Sequence, residues 1–405
     1  MELVKAYCYR LKTNDEIEQK LFQFAGCCRF VWNKALGIQK QRKEEGQKYL
    51  PYEELAKELT LWKKEEELVW LKDAPSQSLQ QTLKDLDKAI WDVFKVKGRQ
   101  DPRFKKKGVH YSFRYPQGVK IDNRRIFLPK IGFVGFFISK EVEGTIKNTT
   151  VSKEGNHWYV SIQTECEVEE PRHSHNDKVI GLDFGVVDSI AAASSGDMPK
   201  AISSFRLHQN KFALEQRKLA RKEKFSQNWY KQKKKISALH NKIKNIRKDY
   251  LQKLSTTISK SHGVVVIEDL KISNLTKSAK GTIEEPGRNV KAKSGLNKAI
   301  LDQGWHNFTT MLEYKQKWLG GKLIKIDPKY TSQKCSSCSH VSQDNRPKRE
   351  IFECVECAYQ DHADINAAKN IRAAGHAVMA CGSNQVIGRK QESVEMSNHF
   401  LPVAV

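Results

Sequence analysis

A chain of 405 residues has room for roughly two to four domains and a substantial core. Its 71 Lys and Arg against 47 Asp and Glu leave a formal charge of +24, too basic for an average cytosolic enzyme, so a polyanionic partner is the simplest expectation. A membrane is not expected as a partner, because the longest apolar run, around Val264–Ile267, suits one buried strand, and the N-terminal Met-Glu-Leu-Val-Lys-Ala-Tyr lacks the apolar centre of a signal peptide.

Residues 2–12 alternate loosely and predict a strand. Thr13-Asn-Asp-Glu16 has the form of a capping box, and Ile17, Leu21, Phe24, Cys28 and Val31 follow at helical spacing. A second helix is expected near Tyr52–Lys63. A third should start near Ser76 or Ser78, with Leu79, Leu83, Leu86, Ile90 and Phe94 on one face. From about residue 110 the period becomes two, most clearly at Trp158, Val160, Ile162, Thr164, Cys166 and Val168 after a Glu-Gly-Asn turn. Strand, helices, then strands suggest a small β-barrel interrupted by a helical insertion. The polar Pro171-Arg-His-Ser-His-Asn-Asp177 marks a boundary.

A new αβ unit opens with Lys178-Val-Ile-Gly-Leu-Asp183. Between Phe205 and Ser261 lies a basic helical hairpin whose second arm carries Ile236, Leu239, Ile243, Ile246, Tyr250, Leu254 and Ile258. Val264-Val-Val-Ile-Glu268 is a buried strand, and residues 274–297, rich in Gly, Ser and Lys, are expected to form a mobile loop. A helix around Trp305–Leu319, a strand at Lys322–Ile326 and a helix from Ile365 to about Ala374 complete the unit. The tail is expected to be loosely held.

Four cysteines in the pattern Cys335-x2-Cys338-x15-Cys354-x2-Cys357 have the spacing of a zinc ribbon, in which four thiolates close a tetrahedral shell and leave no open position for catalysis. Ser339 and Ala358 stand where such knuckles commonly have Gly. The other cysteines, Cys8, Cys27, Cys28, Cys166 and Cys381, read as free thiols of a reducing compartment.

Three acids stand out by their positions: Asp183 and Glu268 each end a short apolar strand, and Asp364 begins a helix with small inner residues. An RNase H-like sheet brings an Asp of its first strand, a Glu of its fourth and an Asp of its closing helix to one point. Two Mg²⁺ ions bridging them about 3.5–4 Å apart would relieve the repulsion and support in-line phosphodiester hydrolysis. Asp188 and Asp269 read instead as caps or loop anchors, and Asp361 competes locally with Asp364. The basic stretches 206–260 and Arg103-Phe-Lys-Lys-Lys107 suggest a channel that follows a nucleic-acid backbone. Trp158 and Trp305 read as core. Tyr330 reads equally as core or as a base-stacking residue, and Arg29-Phe-Val-Trp-Asn33 mixes core and surface types.

Gly181-Leu-Asp-Phe-Gly, Ile267-Glu-Asp-Leu, Tyr330-Thr-Ser-Gln-Lys-Cys-Ser-Ser-Cys and Asp364-Ile-Asn-Ala-Ala-Lys-Asn-Ile resemble the TnpB family of transposon-encoded OrfB-type proteins. Arg29-Phe-Val-Trp-Asn, Pro102-Arg-Phe-Lys and Ser112-Phe-Arg-Tyr-Pro-Gln resemble its N-terminal half. The resemblance implies an RNA-guided, Mg-dependent DNA endonuclease, ancestral to type V CRISPR effectors. It would use a transposon-derived guide RNA, one protein per guide, and a double-stranded target beside a short motif. It also implies a layout: first wedge-barrel strand at 1–13, helical recognition domain at 14–107, the rest of the wedge barrel at 108–172, RuvC domain at 173–330, zinc ribbon at 331–360, RuvC closing helix at 361–374 and tail at 375–405. Asp183, Glu268 and Asp364 are the implied catalytic, magnesium-binding acids, and Cys335, Cys338, Cys354 and Cys357 the zinc ligands. Ser76–Thr82 is a candidate face for reading the motif. Ala363 and Val187 depart from the family pattern without removing a carboxylate. A guided repressor without cleavage and a transposase acting on DNA ends are the competing expectations. The expected location is the prokaryotic cytoplasm, at the nucleoid.

Overall fold

The computed structural model describes residues 2–380 and divides into two units, Met1–Glu169 with Lys222–Asn241 and Glu170–Arg221 with Lys242–Val405. The first unit opens with β1 (Glu2–Lys12), whose alternation buries Leu3, Tyr7, Tyr9 and Leu11. The helix α1 (Asp15–Glu44) follows, capped one residue later than the capping box predicts. Asn14 Oδ1 accepts from the Ile17 N–H at 2.9 Å, while the Thr13 hydroxyl donates to the Glu18 carboxylate at 2.9 Å. Both side chains are good N-caps, and here Asn14 takes the cap while Thr13 turns to Glu18.

Helices α2 (Tyr52–Trp62) and α3 (Ser76–Lys95) complete an insertion between strands. Leu79, Leu83, Leu86 and Ile90 are buried as their spacing predicts, whereas Phe94, in the last turn, is 65% exposed. Part of the expected motif-reading face, Ser76–Thr82, also turns inward. Ser78 and Thr82 are buried, and the Thr82 hydroxyl bonds the Ser78 carbonyl at 2.9 Å. The mixed motif at Arg29–Asn33 is a clasp: the Trp32 indole donates to Arg103 O at 3.1 Å, and the Asn33 amide brackets the backbone of Lys105 at 3.0 and 2.8 Å. The Lys105 ammonium lies 3.8 Å from the Trp32 ring centroid, so this lysine of the basic stretch holds the fold together.

Strands β2 (Ser112–Tyr115), β3 (Lys120–Asp122), β4 (Arg125–Leu128), β5 (Gly132–Phe136), β6 (Thr145–Glu154) and β7 (His157–Glu167) join β1 in one antiparallel seven-stranded sheet of order β2-β6-β7-β1-β5-β4-β3. Trp158, Val160, Ile162 and Thr164 of β7 point inward as predicted. The order is open. A barrel needs its first and last strands paired, and among the described residues the short edges β2 and β3 do not pair, so the expected barrel is not closed.

The chain continues through β8 (Val179–Phe184), β9 (Ala191–Ala193), α4 (Ser204–Ala220), α5 (Gln227–Ser261), β10 (Val264–Glu268), α6 (Ile272–Leu275), α7 (Val290–Gln303), α8 (Trp305–Leu319), β11 (Lys322–Ile326), β12 (Ile351–Glu353), β13 (Gln360–His362) and α9 (Ala363–Ala380). Strands β11, β10 and β8 run parallel, β9 antiparallel, in the order β11-β10-β8-β9. Val264, Val265, Val266 and Ile267 are all buried, as in a parallel strand covered on both faces. On α5, Ile246 is 41% exposed while Leu251 and Ser255 are buried, so the predicted apolar stripe drifts along this long helix.

Two further expectations change. Residues 274–297 are not one loop, because α7 begins at Val290; its apolar positions come late, and Ile300 near its end is buried. Helix α9 passes Gly375 and runs to Ala380, since Gly375 packs on the sheet, where an added Cβ would meet Val266 Cγ2 at 2.4 Å. Residues 381–405, with Cys381, lie outside the described residues. Among the described residues no helix is long and apolar enough to cross a membrane.

Candidate metal centres

Asp183 is the fifth residue of β8 and Glu268 the last of β10. The two strands are parallel neighbours with Ile267 opposite Leu182, so the residue after each, Glu268 and Asp183, projects from adjacent strand ends on the same side. Helix α9 crosses β8 at Gly181, where a Cβ would meet Ala368 O at 2.2 Å. That contact, one turn from the start of α9, sets Asp364 beside the strand ends.

The electrostatics record this convergence. Burial pushes the Asp183 carboxyl well above the usual carboxylate range, and the charges of Glu268 and Asp364 push it further, while Arg346 opposes them. Glu268 is also raised by burial, against a 2.6 Å hydrogen bond donated by the Thr331 hydroxyl to Oε1. Arg346 donates to Asp364 Oδ1 at 3.1 Å. Asp361 is engaged elsewhere, with Lys369 at 2.7 Å and the Tyr359 hydroxyl at 2.9 Å.

The four cysteine sulfurs all lie within 4.8 Å of one another. Burial resists ionisation of Cys354, but the backbone N–H groups of Cys357 and Glu356 bring its thiol below the usual value. Ser339 at φ +67° and Ala358 at φ +56° adopt the left-handed turn that Gly usually supplies, and each N–H closes its knuckle onto the carbonyl of Cys335 or Cys354 at 3.0 and 2.9 Å. Four convergent thiols with one readily ionised are a donor set that fits Zn²⁺. Among the described residues the three acids do not close to that mutual distance. They include the half-buried Asp183 carboxylate, which has no hydrogen-bond donor among those residues, a donor set that fits hard cations bridging wider ligands.

Two buried asparagines tie the ribbon to α9. Asn366 donates to Lys334 O at 2.8 Å and accepts from Ser336 N at 2.9 Å, and Asn370 donates to Thr331 O and Lys334 O at 2.9 and 2.6 Å. Sequence reasoning missed Arg346, Thr331, Asn366 and Asn370. The asparagines carried a signal, amides four apart among the small, apolar inner positions of the helix. Thr331 lay beside the first knuckle, and Arg346 had no local signal. A cavity of about 320 Å³ lined by Ser336, Ser337, Tyr359, Lys369, Arg372 and His376 includes none of the three acids and is rich in donors for an anion.

Residues 161–279 match the family described as "Probable transposase", residues 305–371 the "Cas12f1-like, TNB domain" and residues 1–48 a "Helix-turn-helix domain". The last span holds one strand and one 30-residue helix in this structure. The chain is 50% identical over 400 residues to "Putative RNA-guided DNA endonuclease InsQ" of Escherichia coli K12, covering 98% of this chain and 99% of that one. It is 32% identical to a "Putative RNA-guided DNA endonuclease" of Streptomyces pristinaespiralis, over 94% and 92% of the two chains. Among solved structures, a Cas12f1 complex with guide RNA and target DNA aligns with TM-score 0.46 at 14% identity, over 92% of this chain and 99% of that one. Near-complete alignment to InsQ at this identity leaves one conclusion: the chain belongs to the TnpB family of transposon-encoded OrfB-type proteins.

Proposed function

We propose that the chain is an RNA-guided DNA endonuclease of a transposable element, hydrolysing phosphodiester bonds at a single RuvC-type, RNase H-like site formed by Asp183, Glu268 and Asp364. The observation that carries this reading is the in-register pairing of β8 with β10, which sets two acids at adjacent strand ends where α9 adds the third. The likeness to relatives named as RNA-guided DNA endonucleases supports the substrate class.

Mg²⁺ bound by these acids would activate the attacking water and offset charge on the leaving oxygen. The chain's own groups do the rest. Thr331 holds one oxygen of Glu268 at 2.6 Å and fixes its rotamer. Arg346 offers a cation within reach of the cluster, suited to a phosphate oxygen when it leaves Asp364. Cys335, Cys338, Cys354 and Cys357 would hold Zn²⁺ and so stiffen the ribbon that carries Arg346, while the Asn370 bridge ties Thr331 to α9. The excess lysines and the donor-lined cavity beside α9 suit the backbones of a transposon-derived guide RNA and a double-stranded target, one protein per guide. The expected layout carries over as a proposal, with residues 1–13 and 108–172 as an open wedge sheet around the recognition helices of 14–107. The natural place of action is the cytoplasm, at the nucleoid.

The test is cleavage by the purified protein with its co-purified RNA, compared with Asp183→Ala. The variant should bind the RNA as tightly as wild type and cut nothing. Cutting by Asp183→Ala would remove the acid cluster from the mechanism.

A further inference from the structure

Tyr330 stands apart from its surroundings. Its backbone lies at φ +61°, a region that bulky residues avoid and that Gly or Asn adopts readily. The turn is firmly made, because its carbonyl accepts from Gln333 N at 3.0 Å and Lys334 N at 2.9 Å. The next residue, Thr331, donates to Glu268 Oε1 at 2.6 Å, and its carbonyl accepts from Asn370 at 2.9 Å. Tyr330 is therefore locked beside the threonine that holds a proposed catalytic acid, Glu268. Yet its side chain is 61% exposed and has no hydrogen bond or ring contact among the described residues. A strained backbone that keeps an aromatic ring in solvent, next to the residue that bonds Glu268, does nothing for the fold that Gly would not do better.

We propose that Tyr330 is a stacking platform for the base next to the scissile phosphate in a single strand of DNA. This rests on the reading of the acid cluster as the cutting site. A base inside a duplex has both faces covered by its neighbours, so only an unpaired strand can offer one to the ring. Exposed Lys329 beside it supplies charge for the adjoining phosphates. Stacking of this kind tolerates any base, in keeping with a protein that leaves sequence to a guide.

The experiment uses guide-loaded protein and a target in which an abasic nucleotide is moved stepwise through the cut region. Tyr330→Ala and Tyr330→Gly should cut the intact target about 10-fold more slowly, and Tyr330→Phe and Tyr330→Trp at nearly the wild-type rate. At one abasic position the wild type should slow by a similar factor, and Tyr330→Ala no further. Glycine relieves the backbone strain, so wild-type cutting by Tyr330→Gly would overturn the proposal. So would equal abasic penalties in wild type and Tyr330→Ala at every position. An abasic nucleotide in the guide RNA that alone erased the difference would move the contact from DNA to RNA and overturn it too. A second arm reads stacking without cutting. In an Asp183→Ala background, 2-aminopurine at the sensitive position should be quenched, and adding Tyr330→Gly should restore its fluorescence. If Asp183→Ala still cut, the acid-cluster reading would fall, and the fluorescence would still decide for or against Tyr330.

Discussion

Arg346, carried by the cysteine ribbon, donates a 3.1 Å hydrogen bond to Oδ1 of Asp364, carried by the helix that closes the sheet. Its charge also opposes the upward push on Asp183, so one guanidinium bears on two of the three acids. Arg346→Ala should lower single-turnover cutting about 10- to 100-fold while guide RNA binding is unchanged. Arg346→Lys should recover only part of the rate, because a point charge lacks the planar fork. An unaltered rate in the alanine variant would remove Arg346 from the site.

Because Thr331 and Arg346 are both held by the ribbon, zinc should matter to cutting although it stands apart from the chemistry. Cys335→Ser, or removal of zinc by a chelator, should free the knuckle whose Lys334 carbonyl and Ser336 N–H meet Asn366 and Asn370. The expected results are a lower melting temperature, loss of about one zinc per chain by elemental analysis and a fall in cutting. Asn370→Ala, which leaves the cysteines alone, should show the rate loss with zinc retained. Full activity after zinc loss would separate the ribbon from the site.

Local chemistry decided what could be read ahead of the structure. The helices of the first unit declared themselves through apolar spacing, and Asp183, Glu268 and the four cysteines through strand ends and ligand spacing. Asp364 needed a helix start, which the sequence also marks. Arg346 was invisible because its partner is 18 residues away across the ribbon, a contact made by the metal fold and not by any period. The N-cap slipped by one residue because Thr13 and Asn14 are both competent caps. Closure of the barrel depended on pairing between distant edge strands, which alternation within each strand does not encode. Ser339 and Ala358 were marked as departures from glycine, and they take the glycine-like conformation all the same.

The acid cluster should work against the stability of the protein that holds it. Asp183 and Glu268 have raised values in the folded chain, so the fold binds protons that the unfolded chain has already released. As pH climbs above the unfolded carboxylate value, near 4, stability is therefore lost, and the loss is complete only above the raised folded values. Without divalent ions the melting temperature should be lower at pH 8 than at pH 5.5 from this source. Added Mg²⁺ should raise it more at pH 8. Asp183→Asn should raise the metal-free melting temperature at pH 8 by ~2–4 °C, about 1 kcal/mol, and abolish both cutting and the Mg²⁺ effect. A Mg²⁺ response that is equal in the variant would place the ion elsewhere.

Gly181 tests the geometry that brings the third acid in. It lies in β8 two residues before Asp183, and a Cβ there would meet Ala368 O at 2.2 Å and Arg372 N at 2.6 Å, both backbone atoms of α9. Backbone cannot step aside as a flexible side chain can, so Gly181→Ala must push α9 off the sheet or strain both elements. Overpacking of this kind is destabilising by about 1–3 kcal/mol. Displacing α9 also moves Asp364 relative to two acids fixed on the strands. Cutting should therefore fall further than the loss of folded protein explains, and extra Mg²⁺ should restore part of it. Gly196→Ala is the control, with nothing within 4 Å of its added Cβ but a positive φ of its own. It should lower stability through the backbone alone and leave the Mg²⁺ dependence of cutting unchanged. If both variants shifted that dependence equally, the close approach at Gly181 would have no bearing on where Asp364 stands.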